Sequence, residues 1–153
     1  MSTLLFDIDI RGSEEIQAFI KAFGSKGMQI VSDELHKITI RLRKDILQSM
    51  RNTHRSPGRY YKVGKGIFHK PSAAGFPPAI NTGNLANRMY IDYADGYSRL
   101  FIDNVIYAKW LEEGTKKMKA RPFFGPAIER SNWEKSVKNR IIAERFAGRR
   151  LEG

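Results

Sequence analysis

Three histidines, His36, His54 and His69, are the side chains of this sequence best suited to move a proton or bind a metal. None has a second ligand-type residue at the spacing that would place two ligands on one helical face, so neither a metal centre nor a histidine base is expected. Metal-dependent nucleases hold their divalent cations with clustered carboxylates. Here no Asp or Glu is followed two positions later by Lys, and no acidic residue lies between Asp45 and Asp92. Asp92, Asp95 and Asp103 read as turn and edge residues of a hairpin. Glu112 and Glu113 are adjacent, which on a helix turns them about 100° apart, so they do not form a working pair. Val63-Gly64-Lys65-Gly66 has neither the second half of a phosphate loop nor the spacing of a dinucleotide fingerprint, and reads as a hairpin or loop tip. With no cysteine in the chain, disulfides and thiolate catalysis are excluded. The expectation is a protein without catalytic residues, cofactor or metal.

Charge is the feature that remains. The net charge is +11, which points to a polyanionic partner, nucleic acid being the commonest. A generally solvated basic surface is the plainer alternative. The charge is uneven: the acid-free interval holds Arg51, Arg55, Arg59, Lys62, Lys65, Lys70 and Arg88. Within it, Arg59-Tyr60-Tyr61-Lys62 interleaves rings with cations, as platforms for single-stranded nucleic acid do. The simpler reading packs Tyr60 and Tyr61 onto the body of the protein.

These residues need elements to carry them. Leu4, Phe6, Ile8 and Ile10 alternate with Leu5, Asp7 and Asp9, predicting a strand with one wet face. Ser13 before Glu14 and Glu15 predicts a capped helix to about Phe23, with a break bracketed by Gly24 and Gly27. From Met28, the apolar positions Val31, Leu35, Ile38, Leu42, Ile46 (or Leu47) and Met50 predict a second helix of about 24 residues, about 36 Å long. Residues 55–80 show no periodicity and read as an extended Pro/Gly-rich basic loop or arm. Met89, Ile91 and Tyr93 alternate into Asp95-Gly96, and Leu100 and Ile102 follow, a hairpin signature. A short helix is expected over Tyr107–Glu113, ending at Gly114. Pro122 and Pro126 then mark the start of a closing helix that carries Trp133, Val137 and Ile141 and reaches Phe146, with 148–153 as a flexible tail.

At 153 residues and 41% hydrophobic content, the chain is long and apolar enough for one globular domain. No apolar run approaches the roughly 18 residues that cross a bilayer, and Met1–Asp7 does not read as a signal peptide. The predicted fold class is α+β: a long helix and a C-terminal helix packed on a small antiparallel β-sheet, with a long extended basic loop.

Two blocks of sequence carry a family resemblance. The first is Ser72-Ala73-Ala74-Gly75-Phe76-Pro77-Pro78 with Thr82-Gly83-Asn84-Leu85. The second is Tyr107-Ala108-Lys109-Trp110-Leu111-Glu112-Glu113-Gly114-Thr115 with Met118-Lys119-Ala120-Arg121-Pro122-Phe123-Phe124-Gly125-Pro126-Ala127. In this order, with a hairpin between them, they resemble the tail-completion (head–tail joining, or neck) proteins of long-tailed bacteriophages. The resemblance singles out Pro77, Pro78, Thr82, Gly83, Leu85, Tyr107, Glu112, Gly114, Thr115, Arg121, Pro122 and Phe123 as a docking arm and family motif. Two departures stand out: Glu113 where an aromatic residue is common, and a longer, more basic 55–70 loop.

The resemblance implies a virion protein without catalysis that forms a ring of about six copies with heterologous interfaces. Its implied neighbours are the head connector or stopper on one side and the tail terminator or tail tube on the other. Double-stranded DNA would pass through the lumen and be contacted without sequence reading. Arg51, Arg55, Arg59, Lys62, Lys65 and Lys70 become candidates to face that DNA or an acidic neighbouring ring. A stand-alone basic nucleic-acid-binding protein is the alternative.

Overall fold

The stripe Val31, Leu35, Ile38, Leu42, Ile46 and Met50 is buried along its whole length, as its three-and-four spacing requires. The computed structural model that shows this describes residues 4–9, 14–58 and 60–149. The stripe lies on helix α1 (Glu14–Arg51), which takes in both predicted helices. They are separated by a non-helical residue at Gly24, φ 57° and ψ −139°, inside the expected break. Glu14 and Glu15 sit in the first turn, where they complement the exposed amides. Strand β1 (Leu4–Asp9) precedes α1 as predicted, whereas Ile10 and the Ser13 cap lie outside the described residues.

After α1 the chain forms β2 (Tyr61–Gly64), β3 (Ile67–His69), a single helical turn α2 (Asn84–Asn87), β4 (Met89–Ala94) and β5 (Tyr97–Ile102). Helices α3 (Tyr107–Glu113), α4 (Gly125–Ser131) and α5 (Trp133–Arg149) complete it. The strands make two small antiparallel sheets, one ordered β1-β5-β4 and the other β2-β3. The fold is α+β.

Three elements differ from expectation. Residues 55–80 are not a featureless loop, because they contain the β2–β3 hairpin. The single closing helix is two helices, α4 and α5, parted at Asn132, whose φ of 45° breaks the helical ladder. And α5 continues to Arg149, past the expected end at Phe146.

The chain divides into two compact units. One is built mainly from residues 14–41, Ile91–Leu100 and residues 131–149. Its core joins Ile16, Phe19, Val31, Leu35 and Ile38 of α1 to Val137 and Ile141 of α5, with Ile20, Ile30 and Trp133 packed around them. The every-fourth spacing of Trp133, Val137 and Ile141 is what puts them on one face. The Asp95-Gly96 turn is tied to α1 by the Gly96 N–H, which donates to Ser32 Oγ at 2.8 Å. The His36 ring stacks on Tyr93, with centroids 3.7 Å apart.

The other unit is built mainly from Leu42–Tyr90 and Phe101–Arg130. Leu42, Ile46 and Met50 of α1 are buried there, as are Leu85, Met89, Ile102, Val105, Ala108, Phe123, Phe124 and Ala127. Burial of a large apolar side chain contributes about 1.5–3 kcal/mol, set against the conformational entropy of the residues it orders. Arg43 Nε donates to the Met89 carbonyl at 3.0 Å and anchors α1 to the start of β4.

Candidate functional site

The residues of the two motif blocks meet in the second of these units, around the carboxylate of Glu112. Its Oε2 accepts the N–H groups of Phe123 (2.9 Å) and Phe124 (3.0 Å), and its Oε1 accepts that of Gly125 (2.7 Å). These amides lie at the opening of α4, where no intrahelical carbonyl is available to them. A carboxylate placed there makes charge-assisted bonds and compensates the helix dipole. Pro122 just before them has no N–H to place, and its fixed φ presets the entry. Glu113, by contrast, is exposed, so the two carboxylates are separated in role.

Gly114 closes α3, its N–H donating to the Trp110 carbonyl at 2.8 Å. Its φ of 80° with ψ of −179° is a conformation open essentially to glycine. A Cβ there would also lie 2.8 Å from Ala120 N and 3.0 Å from Met118 O. Thr115 then builds a tight turn: its Oγ1 accepts from the Lys117 and Met118 N–H groups, and its own N–H donates to Met118 O at 2.8 Å. The turn returns the chain so that the Arg121 N–H reaches Leu111 O at 2.7 Å.

The first block is laced onto the second. Arg121 Nε donates to Ser72 O at 3.3 Å, and the Gly75 N–H donates to Ala120 O at 2.9 Å. Pro77 is half-buried and its carbonyl accepts from Thr53 Oγ1; Pro78 and Leu85 are buried. Gly83 precedes α2 with φ 82°, and its carbonyl accepts the Asn87 N–H at 2.8 Å. Thr82 Oγ1 accepts the Asn84 N–H at 3.4 Å, a weak contact. Asn84 Nδ2 in turn donates to the Tyr107 hydroxyl at 3.2 Å. Ser72 and Asn84, quoted in the first block but not singled out as site residues, tie these positions together: Ser72 through its backbone carbonyl and Asn84 through its side-chain amide.

The cationic candidates occupy the hairpin and its base. Arg51 is exposed in the last turn of α1. Arg55 bridges to Ser72 in antiparallel fashion, and its Nη1 donates to Lys70 O at 2.8 Å. The Ala73 N–H bonds to His54 O (2.8 Å) and the Ser56 N–H to Pro71 O (2.9 Å). Beyond, Tyr61 pairs with His69, Lys62 with Phe68 and Gly64 with Ile67, with an irregularity between Lys62 and Gly64. Lys65 is exposed at the turn, and Lys70 Nζ sits 5.6 Å from the Tyr60 ring centroid. Arg59 lies outside the described residues.

Tyr60 and Tyr61 do not pack onto the body. They are 62% and 57% exposed, and Ile67 and Phe68 on the return strand are 62% and 61% exposed. Pairing places Tyr61 and Phe68 on opposite faces, so both faces of the hairpin present rings or aliphatic groups among cations. An isolated two-stranded hairpin is marginal in water, and these rings and aliphatic groups are left uncovered by the described residues.

Where the hairpin rejoins the body lies a cavity of about 490 Å³, walled by His69, Pro78, Thr82, Leu85, Tyr107 and Arg121 among others. The His69 pKa is held below its ordinary 6.5, first by burial and second by the positive charge of Arg55. Among the described residues no group of three or more His, Cys, Asp or Glu side chains is placed to hold a metal. Nor is any described helix long and apolar enough to cross a membrane. Comparison with protein-family models, curated proteins and solved structures finds no match to this chain.

Proposed function

We propose that this chain is a structural protein of the neck of a long-tailed bacteriophage. It completes the tail and joins it to the head connector, and it acts by assembly rather than catalysis. The observation that carries the reading is the union of the two resemblance blocks. Ser72–Pro78 lies well before Tyr107–Ala127 in the sequence, yet Glu112, Gly114, Thr115 and Arg121 lace the two blocks into one hydrogen-bonded frame. Residues that the resemblance singles out thus serve to hold loops in fixed positions, which is what a joining subunit requires.

In this reading the subunits form a closed ring of about six copies through heterologous contacts. The ring sits in the virion at the head–tail interface, after assembly in the host cytoplasm. Its partners are copies of itself, the connector or stopper protein, and the tail-terminator or tail-tube protein. The docking arm expected at Pro77–Leu85 is partly buried in this frame, so in this reading the exposed β2–β3 hairpin beside it makes the outward contact. Its exposed Ile67 and Phe68 favour a protein neighbour, because contacts to duplex phosphates use charged and hydrogen-bonding groups, which these side chains lack. Arg51 and the remaining cations supply non-specific attraction to double-stranded DNA in the lumen.

The alternative, a stand-alone nucleic-acid-binding protein, rests on the charge alone. Electron microscopy and native mass measurement of the purified protein, with duplex DNA titrated at rising salt, separate the two. The neck reading expects closed rings, alone or on tail ends, and weak affinity for free duplex. A monomer that binds free duplex tightly, with affinity falling steeply as salt rises, would overturn it.

A further inference from the structure

The cavity at the base of the hairpin combines an unpaired cation with apolar walls. Arg121 is half-buried and lines it. Its Nε is used on the Ser72 carbonyl, and no carboxylate among the described residues pairs with its guanidinium. The acid of its own block, Glu112, is committed to the three amides of Phe123, Phe124 and Gly125. Among the described residues no Asp or Glu lines the cavity. A guanidinium taken partly out of water without an anion is costly, and its planar fork matches a carboxylate.

The walls set the rest of the ligand. Met50, Leu85 and Leu111 offer an apolar floor, and Asn84 and Thr82 add polar groups at the rim. The volume of about 490 Å³ is that of a ligand site and not a packing defect. His69, whose imidazole is neutral at pH 7 because burial and Arg55 disfavour its protonation, adds no second charge. Among the lining side chains Arg121 is the one full positive charge, with Arg55 acting from behind His69, and a single guanidinium fork in the wall suits one carboxylate. A phosphate monoester, which carries about 1.5 to 2 negative charges at pH 7, would meet one lining guanidinium only.

We propose that this cavity binds an acidic segment of a protein partner, with an Asp or Glu carboxylate on Arg121 and a neighbouring apolar side chain against Met50, Leu85 and Leu111. This goes beyond the neck reading and holds whether or not that reading does.

The test is amide NMR of the whole protein titrated with acetyl-Leu-Glu-Leu-amide, and in parallel with acetyl-Leu-Gln-Leu-amide, hexanoate and hexyl phosphate. The expected result is saturable shifts of the amides of residues 82–86 and 121 with the Glu peptide, and binding of the Gln peptide weaker by about tenfold or more. Arg121→Met should abolish the shifts. Because that change also frees the Ser72 carbonyl, Ala86→Phe, which fills the cavity and leaves the guanidinium in place, should abolish them as well. Equal binding of the Glu and Gln peptides would overturn the proposal. So would tighter binding of hexyl phosphate, binding of hexanoate without the peptide, or no shift up to about 10 mM peptide.

Discussion

Replacing Glu112 by Ala removes the carboxylate that accepts three consecutive amides across the α3–α4 connection. The bonds from Phe123, Phe124 and Gly125 measure 2.9, 3.0 and 2.7 Å. A hydrogen bond to a charged group is worth about 1.5–3 kcal/mol when buried. Glu112 is only half-buried, so water can reach the freed amides in part, and about 1 kcal/mol per bond is the appropriate figure. The three together give about 3 kcal/mol, a large share of the 5–15 kcal/mol that typically stabilises a folded chain. For a chain of this length that corresponds to a Tm lowered by about 6–12 °C. Glu112→Gln keeps the shape but offers one acceptor oxygen, and its NH2 group opposes the remaining amide, so about 1–2 kcal/mol is expected. Denaturant unfolding followed by circular dichroism measures both, and amide exchange at 123–125 localises the loss. A cost of under about 0.5 kcal/mol for Glu112→Ala, the range of neutral surface changes, would refute the assignment of Glu112 as the organiser of this frame.

Other consequences are equally direct. Gly114→Ala should cost about 2–4 kcal/mol in denaturant unfolding, from the glycine-only φ and ψ and the approach to Ala120 N and Met118 O. His69 should titrate below 6.5 by NMR, and Arg55→Ser should raise its pKa only part of the way, since burial is the larger cause. Because a lowered folded pKa means that the unfolded chain binds the proton more readily, stability should fall as pH drops below 6.5 towards the folded value, and His69→Gln should flatten that part of the curve. Replacing Arg55, Arg59, Lys62 and Lys65 by Ser should weaken joining to tails and shrink the slope of log DNA affinity against log salt by about 3 to 4. Joining and salt-dependent DNA binding both left intact would remove the hairpin from the account.

Much of the framework was legible because its patterns are periodic. Val31 to Met50 recur every three or four residues, and all six core positions are buried as one stripe. Asp95-Gly96 between alternating runs became the β4–β5 turn, and Gly114 ended α3. The β2–β3 hairpin was legible only at its tip, Val63-Gly64-Lys65-Gly66, because both of its faces are exposed. Tyr60-Tyr61-Lys62-Val63 and Ile67-Phe68 therefore show no alternation between apolar and polar, and their glycines read as loop. The α4–α5 break was hidden for a different reason: Asn132 takes a positive φ with no Pro or Gly to announce it. Glu112 was visible as a motif residue, but its role was not. A carboxylate reaching amides eleven to thirteen positions on depends on the Gly114–Thr115 turn that brings them back. The cavity depended likewise on Ser72, Leu85 and Arg121 converging from distant segments.

The central claim is that this chain completes a phage tail. Its most direct test is electron microscopy of tails purified with and without the protein, scored for the structure at the head-proximal end and for joining to filled heads. The account predicts an added ring at that end when the protein is present, and bare tails that fail to join when it is absent. Identical tail ends and normal joining without it would contradict the account.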